Sequence, residues 1–397
     1  MNAEILALTE RYRDDVARFL VEIVSIPSLS CREEAVVGRI RVEMERCGFD
    51  EVRIDGLGSV VGRIGDGPRV IAFDAHVDTV DVGNPSAWSF DPFRGHVRDG
   101  KVWGRGAADQ KGGMAAMVYA GRAIKELGIA RDCTLLMTGT VMEEDCDGLC
   151  WDYLIREEGV RPEVCVVTEP TGCRIHRGQR GRMEIDIEVT GLSAHGSAPE
   201  RGVNAIYRMA PLILAIERLD GRLRSDPFLG KGTVVVSHAI GAGPSLCAVP
   251  DVCRIHLDRR LTAGETRESA LAELAEAAAG AGAAISVPRY EERSYTGRSY
   301  PMEKHYPTWT TPADHPVVRA ARRACRELFG EEPPVDKWTF STNGVAISGI
   351  HGIPCVGFGP GYEEQAHAPD EHCPVDHLVK AVAFYAAFPA AHLAEAP

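Results

Sequence analysis

Apolar positions along this chain follow two rhythms. Over residues 5–26 and again over 32–47 they recur every three or four positions, with Val36, Val37, Ile40, Val42 and Met44 toward one side of the second stretch. That spacing predicts two amphipathic helices, the first closed by Pro27. Strands are predicted over 52–54 and 60–64, and a helix over 114–127 after the glycine-rich run 104–113. Four other stretches are short, continuously apolar, and lead directly to an imidazole or a carboxylate. They are Val70-Ile71-Ala72-Phe73 before His76, Leu135 to Met142 before Glu143 and Glu144, Val164 to Val167 before Glu169, and Cys355 to Phe358, a short loop before His367. Continuous apolar runs mark buried parallel strands, and open α/β sheets bind ligands beyond the carboxyl ends of such strands. One sheet edge is therefore expected to gather two imidazoles and several carboxylates.

The rhythm changes near Arg180. Met183, Ile185, Ile187 and Val189 alternate with Glu184, Asp186, Glu188 and Thr190, the period of a strand with one wet face. A helix over 203–219, strands over 233–240 and 252–261, a helix over 265–279 and a strand over 284–287 complete the order βαββαβ, a ferredoxin-like unit. The fold class expected is α/β: a mostly parallel sheet flanked by helices, formed by residues 1–179 and 292–397, with residues 180–291 inserted as a second domain.

Length and composition narrow the function. A chain of 397 residues suits two domains and needs no disulfides to stabilise its core. A formal charge of −13, with no cluster of Lys and Arg, argues against nucleic acid or an anionic membrane as partner and favours a small-molecule substrate. No apolar run reaches the ~18 residues of a membrane span. The amino terminus mixes acids into a helical pattern and does not resemble a signal peptide. The 12 cysteines are scattered without a CxxC pair, which points to reduced thiols and a cytoplasmic location.

Asp78 follows His76 by two residues, a spacing that lets a carboxylate orient a ligating imidazole; it equally suits a surface turn. Glu143 and Glu144 are costly to crowd together unless a cation or proton shares the site, and as neighbours at a strand end they point to different sides. One can then ligate while the other faces a water as base. Asp109 stands just before the 114–127 helix and could be an N-cap; Glu169 and His367 could be a turn acid and a loop histidine. Taken together, His76, Asp109, one of Glu143 and Glu144, Glu169 and His367 fit one centre for divalent cations of the zinc type.

The ordered segments His76-Val-Asp-Thr-Val, Gly104-Arg-Gly-Ala-Ala-Asp109-Gln-Lys-Gly-Gly, Glu143-Glu144-Asp, Thr168-Glu169-Pro170, Ser193-Ala-His195-Gly-Ser and Ala366-His367-Ala-Pro-Asp-Glu371 resemble the M20 family of zinc amidohydrolases and peptidases over nearly the whole chain. The resemblance implies a two-zinc site, with cobalt or manganese as substitutes, in which Asp109 bridges, His76 and Glu169 hold one ion, and Glu144 and His367 the other. It implies Glu143 as general base, Asp78 orienting His76, and a cis peptide after Asp109. It also implies that the inserted domain is a lid through which a homodimer forms, with His195 reaching a neighbouring subunit's site to stabilise an oxyanion. Arg260 of Asp258-Arg259-Arg260 is the expected clamp for a substrate carboxylate, with Asn204 and the backbone of Gly359 as further substrate contacts. The expected reaction is hydrolysis of an amide bond in an N-acyl amino acid, with a dipeptidase or carboxypeptidase as the alternative. Gln110 and Ser341-Thr342-Asn343-Gly344 depart from many relatives and bear on the substrate pocket rather than the metal site. A similar Phe340 to Gly344 stretch occurs in M20 hydrolases associated with selenium-related purine gene clusters.

Overall fold

The computed structural model describes residues 1–129 and 132–395. It divides into two compact units, Met1–Gly178 with Glu291–Tyr300 and Thr310–Pro397, and Gln179–Tyr290 with Pro301–Trp309.

In the larger unit the central sheet runs Glu51–Ile54, Val60–Ile64, Cys133–Thr140, Arg69–His76, Val164–Val167, Cys355–Gly357, Ile175–Gln179. Only the four strands from Cys133–Thr140 to Cys355–Gly357 are mutually parallel; the pairs on either side are antiparallel. The sheet is thus mixed, with a parallel core and antiparallel strands flanking it. At one edge the reason is local: Asp55 Oδ1 accepts the N–H groups of Leu57, Gly58 and Ser59, closing a tight turn that can only join antiparallel neighbours. The four parallel strands are the continuously apolar runs, and their shared direction sets the site. His76 is in register with Thr140, three residues before Glu143, and Asp74 with Val167, two before Glu169.

Helices cover the sheet. The helix predicted over 5–26 is two, Asn2–Arg11 and Arg13–Val24, meeting at Tyr12, whose ring packs edge-on against Tyr119. Two helices that the pattern reading left unassigned, Pro316–Phe329 and Val375–Glu395, pack on each other, and the second also contacts Lys111–Leu127. Val375–Glu395 is apolar on most sides, so it lacks the one-sided periodicity that marks a surface helix. A small three-stranded sheet joins His96–Arg98, Lys101–Trp103 and His372–Pro374.

On the strand Ile175–Gln179 His176 is 4% exposed, and burial pulls its imidazole down to about 4. An unfolded histidine takes its proton near 6.5, so between these values the unfolded chain binds more protons and folding weakens as pH falls, by up to about 3 kcal/mol. Urea unfolding at pH 7 and pH 4.5 is expected to show a larger loss for the native chain than for His176→Asn; equal losses would contradict the assignment.

The smaller unit has the order Gly181–Thr190, Ala205–Asp220, Thr233–Ala242, Val252–Leu261, Arg267–Ala277, Ala283–Ser286, hence βαββαβ. Its antiparallel sheet runs Thr233–Ala242, Val252–Leu261, Gly181–Thr190, Ala283–Ser286. Met183, Ile185, Ile187 and Val189 form the inner face, packed with Leu212, Ile216 and Leu274 of the helices. The chain also returns to this unit after residue 291: His305–Tyr306 pairs beside Gly181–Thr190. A strand of two residues carries no periodicity, so its return was not visible in the pattern. All 12 cysteines are free thiols, and no helix among the described residues is long and apolar enough to cross a membrane.

Candidate metal centre

The parallel strands bring His76, Asp109, Glu143, Glu144, Glu169 and His367 together in the larger unit. Asp109 lies between the two histidines: its Oδ1 is 3.0 Å from His76 Nε2 and its Oδ2 3.4 Å from His367 Nε2. Glu169 Oε1 is 3.7 Å from His76 Nε2, and Glu144 Oε2 is 2.9 Å from His367 Nε2. Glu143 Oε2 is 3.9 Å from His76 Nε2, nearly as close as Glu169. The adjacent acids therefore face different histidines. Met142 supplies the turn that achieves this: its backbone is left-handed at φ 63°, and its N–H donates to Glu33 Oε1 at 3.1 Å. The Asp109–Gln110 peptide is cis.

Proton bookkeeping at His76 argues for a cation. The ring's Nδ1 is 3.0 Å from the main-chain carbonyl of Asp78, which can only accept, so Nδ1 carries a hydrogen. The Nε2 lone pair of the neutral ring then points at Asp109 Oδ1, itself an acceptor. Two acceptors 3.0 Å apart need a proton or a cation between them. Without a cation the ring takes the proton: burial opposes its charge, but Asp109 and Asp78 as acceptors, and the charges of Glu143 and Glu169, hold it well above its usual range. Burial raises the carboxyls of Glu143 and Glu169 far above the usual range, and raises Glu144 to about 7, with Asp109 adding to the shift. Asp109 alone stays ionised below its usual value: burial works against it, and His76, His367 and Arg105 outweigh that. His367 is raised, chiefly by its hydrogen bond to Glu144. Glu143 Oε1 and Glu169 Oε2 are buried with no hydrogen-bond partner among the described residues. Four carboxylates, two imidazoles and orphaned carboxylate oxygens make a donor set that fits divalent cations.

Asp78 is placed differently from the expectation in one respect. Its nearest atom to His76 is the carbonyl oxygen; the carboxylate is 3.5 Å away. Its Oδ2 accepts from Ser30 Oγ at 2.7 Å and from the Glu144 N–H at 3.1 Å, so it also fixes the Glu143–Glu144 turn.

Three expected substrate contacts are already occupied locally. The Gly359 N–H donates to Thr171 Oγ1 at 3.0 Å, so it is not free for a ligand; a Cβ there would come within 2.1 Å of the Glu169 carbonyl oxygen, and this close approach is what requires glycine. Asn204 caps the helix Ala205–Asp220, its Oδ1 accepting from the Ile206 and Tyr207 N–H groups. Arg260 forks onto Asp258 at 2.7 and 3.0 Å, which leaves its partly exposed guanidinium paired rather than waiting. His195 lies exposed in the smaller unit, with Ser197 Oγ 2.8 Å from its Nδ1.

Other residues of the centre were missed. Glu371 is fully buried; its two oxygens accept from the N–H groups of Gly106, Ala108 and Asp109 and pair with Arg105 at 2.7 Å. The small sheet pairing His372 with Trp103 delivers it there. Glu371 thus sets the loop that presents Asp109. Replacing it by alanine strands the buried Arg105 and three amides, and is expected to cost about 3–5 kcal/mol in chemical denaturation, against little or no loss if the loop is held otherwise. Asn343 donates to Asp74 Oδ2 at 2.9 Å and accepts the Gly148 N–H at 2.9 Å, tying strands beneath the centre. Their partners lie roughly 195 to 270 positions away, beyond any spacing rule.

The family model for peptidase family M20/M25/M40 matches residues 72–391. The chain belongs to that family. This M20 chain is 55% identical over 392 residues to the uncharacterized protein YgeY of Escherichia coli (strain K12), covering 98% of this chain and 97% of that one. It is 30% identical over 303 residues to succinyl-diaminopimelate desuccinylase of Cereibacter sphaeroides (strain ATCC 17025 / ATH 2.4.3), covering 72% and 78%. Among solved structures, aminopeptidase PepT from Bacillus cereus shares the M20 fold with a TM-score of 0.74 at 23% identity, over 96% of this chain and 99% of that one. As a member of the family the chain is a hydrolase of the metallopeptidase and amidohydrolase type.

Proposed function

We propose that this M20 hydrolase uses two divalent cations, zinc in the first instance, to remove the acyl group from an N-acyl amino acid. The observation that carries this is Asp109 presenting one oxygen to each histidine, His76 at 3.0 Å and His367 at 3.4 Å. His76, Asp109 and Glu169 would hold one ion, and Asp109, Glu144 and His367 the other. When bound, the pair would polarise the substrate carbonyl and make water a stronger acid. Glu143 accepts the proton of the attacking water and delivers it to the leaving amine; its burial, which favours the protonated carboxyl, suits the second half of that transfer. The exposed His195 of a second copy would donate to the oxyanion, which makes the working form a homodimer assembled through the smaller unit. Support for that assembly comes from the edge strand Thr233–Ala242, where Val235 and Ile240 are exposed, and from exposed Ile206, Tyr207 and Leu214 on the adjoining helix. Free thiols in a protein with 12 cysteines support a cytoplasmic setting.

A deacylase is favoured over a dipeptidase because the 30% identical relative is a desuccinylase, whereas the peptidase neighbour PepT shares the fold at 23% identity. Screening N-acetyl and N-succinyl amino acids against dipeptides, with zinc- and cobalt-loaded protein, tests it. Turnover of acyl amino acids is expected. Hydrolysis confined to substrates with a free amino terminus would give the peptidase reading instead.

A further inference from the structure

Away from the six ligand-type side chains, the larger unit contains a cavity of about 520 Å³ whose walls include Thr171, Arg174, His176, Thr339, Glu363 and Glu364. Two of its charged groups, Glu363 and Arg174, pair with no opposite charge of Lys, Arg, Asp or Glu among the described residues. The Glu363 side chain is 19% exposed, yet among the described residues no Lys or Arg lies within 4.0 Å of its carboxylate; the nearest basic atom is His176 Nδ1 at 3.6 Å. Burial keeps His176 neutral and raises the Glu363 carboxyl. Thr339 clamps that carboxylate with both its hydroxyl, at 2.8 Å, and its N–H, at 3.3 Å. His176 is 4% exposed, and Nδ1 has no hydrogen-bond partner. Arg174, an exposed residue of the same cavity wall, makes no ion pair among the described residues. Lys337 and Asp336 also line the wall but face each other at 3.6 Å.

A largely buried carboxylate without a cation is costly, and here it is held in place rather than allowed to turn to water. A guanidinium and a carboxylate that share a cavity without pairing leave a gap that a ligand with both charges can bridge. The volume lies within the ordinary range for small-molecule sites. We propose that this cavity binds a small zwitterion with the charge pattern of an α-amino acid, its ammonium on Glu363 and its carboxylate on Arg174. Thr339 fixes the acceptor. The site borders both loops of the metal centre: Thr171 follows Glu169 by two residues, and Glu363 precedes His367 by four.

Calorimetric titration of the metal-loaded enzyme with the standard L-amino acids tests this, with propionate and ethylamine as probes carrying one charge each. At least one amino acid is expected to bind at one site per chain, with propionate and ethylamine weaker by about tenfold or more. The same loss is expected in Glu363→Gln, at a half-buried position, and in Arg174→Ala, at an exposed one, neither of which belongs to the core. Failure of every amino acid to bind at millimolar concentration, or native affinity in both variants, would overturn the proposal. Initial rates then separate two sources of the ligand, each of which keeps the site: competition with substrate marks the amino-acid end of the substrate, and a changed rate without competition marks a free effector. Binding is read without turnover, so it stands or falls separately from the hydrolase reading.

Discussion

Replacing Glu143 with alanine is expected to lower turnover by more than about a hundredfold while the protein keeps both cations. The carboxylate is buried, 3.9 Å from His76 Nε2, and its Oε1 has no partner. Removing it leaves His76, Asp109 and Glu169 on one side and Asp109, Glu144 and His367 on the other. On the proposed assignment, what disappears is the one acid of the cluster without a ligand's post, and with it the acceptor for the water proton. Glu143→Gln, which keeps the shape and loses the basicity, is expected to behave alike. Steady-state rates and metal content measured on the same preparations decide the matter. Because Glu169 is only 0.2 Å nearer to His76 than Glu143 is, the informative contrary result is loss of metal from the Glu143 variants with residual turnover, which would make Glu143 a ligand and move the base elsewhere.

Asp109→Ala is expected to have the larger effect on binding. Each of its oxygens faces a different histidine, so a single substitution removes a donor from both ions at once. Metal content is expected to fall from two ions per chain to one or none, and turnover with it. Stability supplies an independent readout. Without cations Asp109 is the ionised partner of buried His76 and of His367, so the metal-free variant is expected to unfold earlier than the metal-free native chain. Added zinc stabilises the native chain by mass action, and that increment is expected to shrink in the variant. An undiminished zinc-dependent rise in melting temperature would show that Asp109 is not shared between ions.

How far the chain itself discloses this arrangement depends on the distance over which each feature is encoded. His76, Glu143, Glu144 and Glu169 were legible because each ends a continuously apolar strand or follows it within four residues, and parallel strands deliver their ends to one edge. The alternation of Met183 to Val189 likewise disclosed the smaller unit's inner face. Asp109 carries no such signal by itself; its place rests on Glu371, 262 positions away, which accepts its N–H. Arg260 and Asn204 had plausible chemistry at the right positions, but the pattern could not show that Asp258, two residues back, takes the guanidinium, or that the Asn204 carbonyl is spent on a helix end. Val375–Glu395 stayed hidden because a helix buried on most sides loses its period, and Pro301–Trp309 because its strand is too short to have one.

Anomalous diffraction from crystals of the zinc-loaded protein, recorded on both sides of the zinc edge, is the most direct test of the centre. Two peaks are expected in each chain, one between His76, Asp109 and Glu169 and one between Asp109, Glu144 and His367. A single peak, or ions held away from Asp109, would contradict the bridged pair and the hydrolytic chemistry built on it.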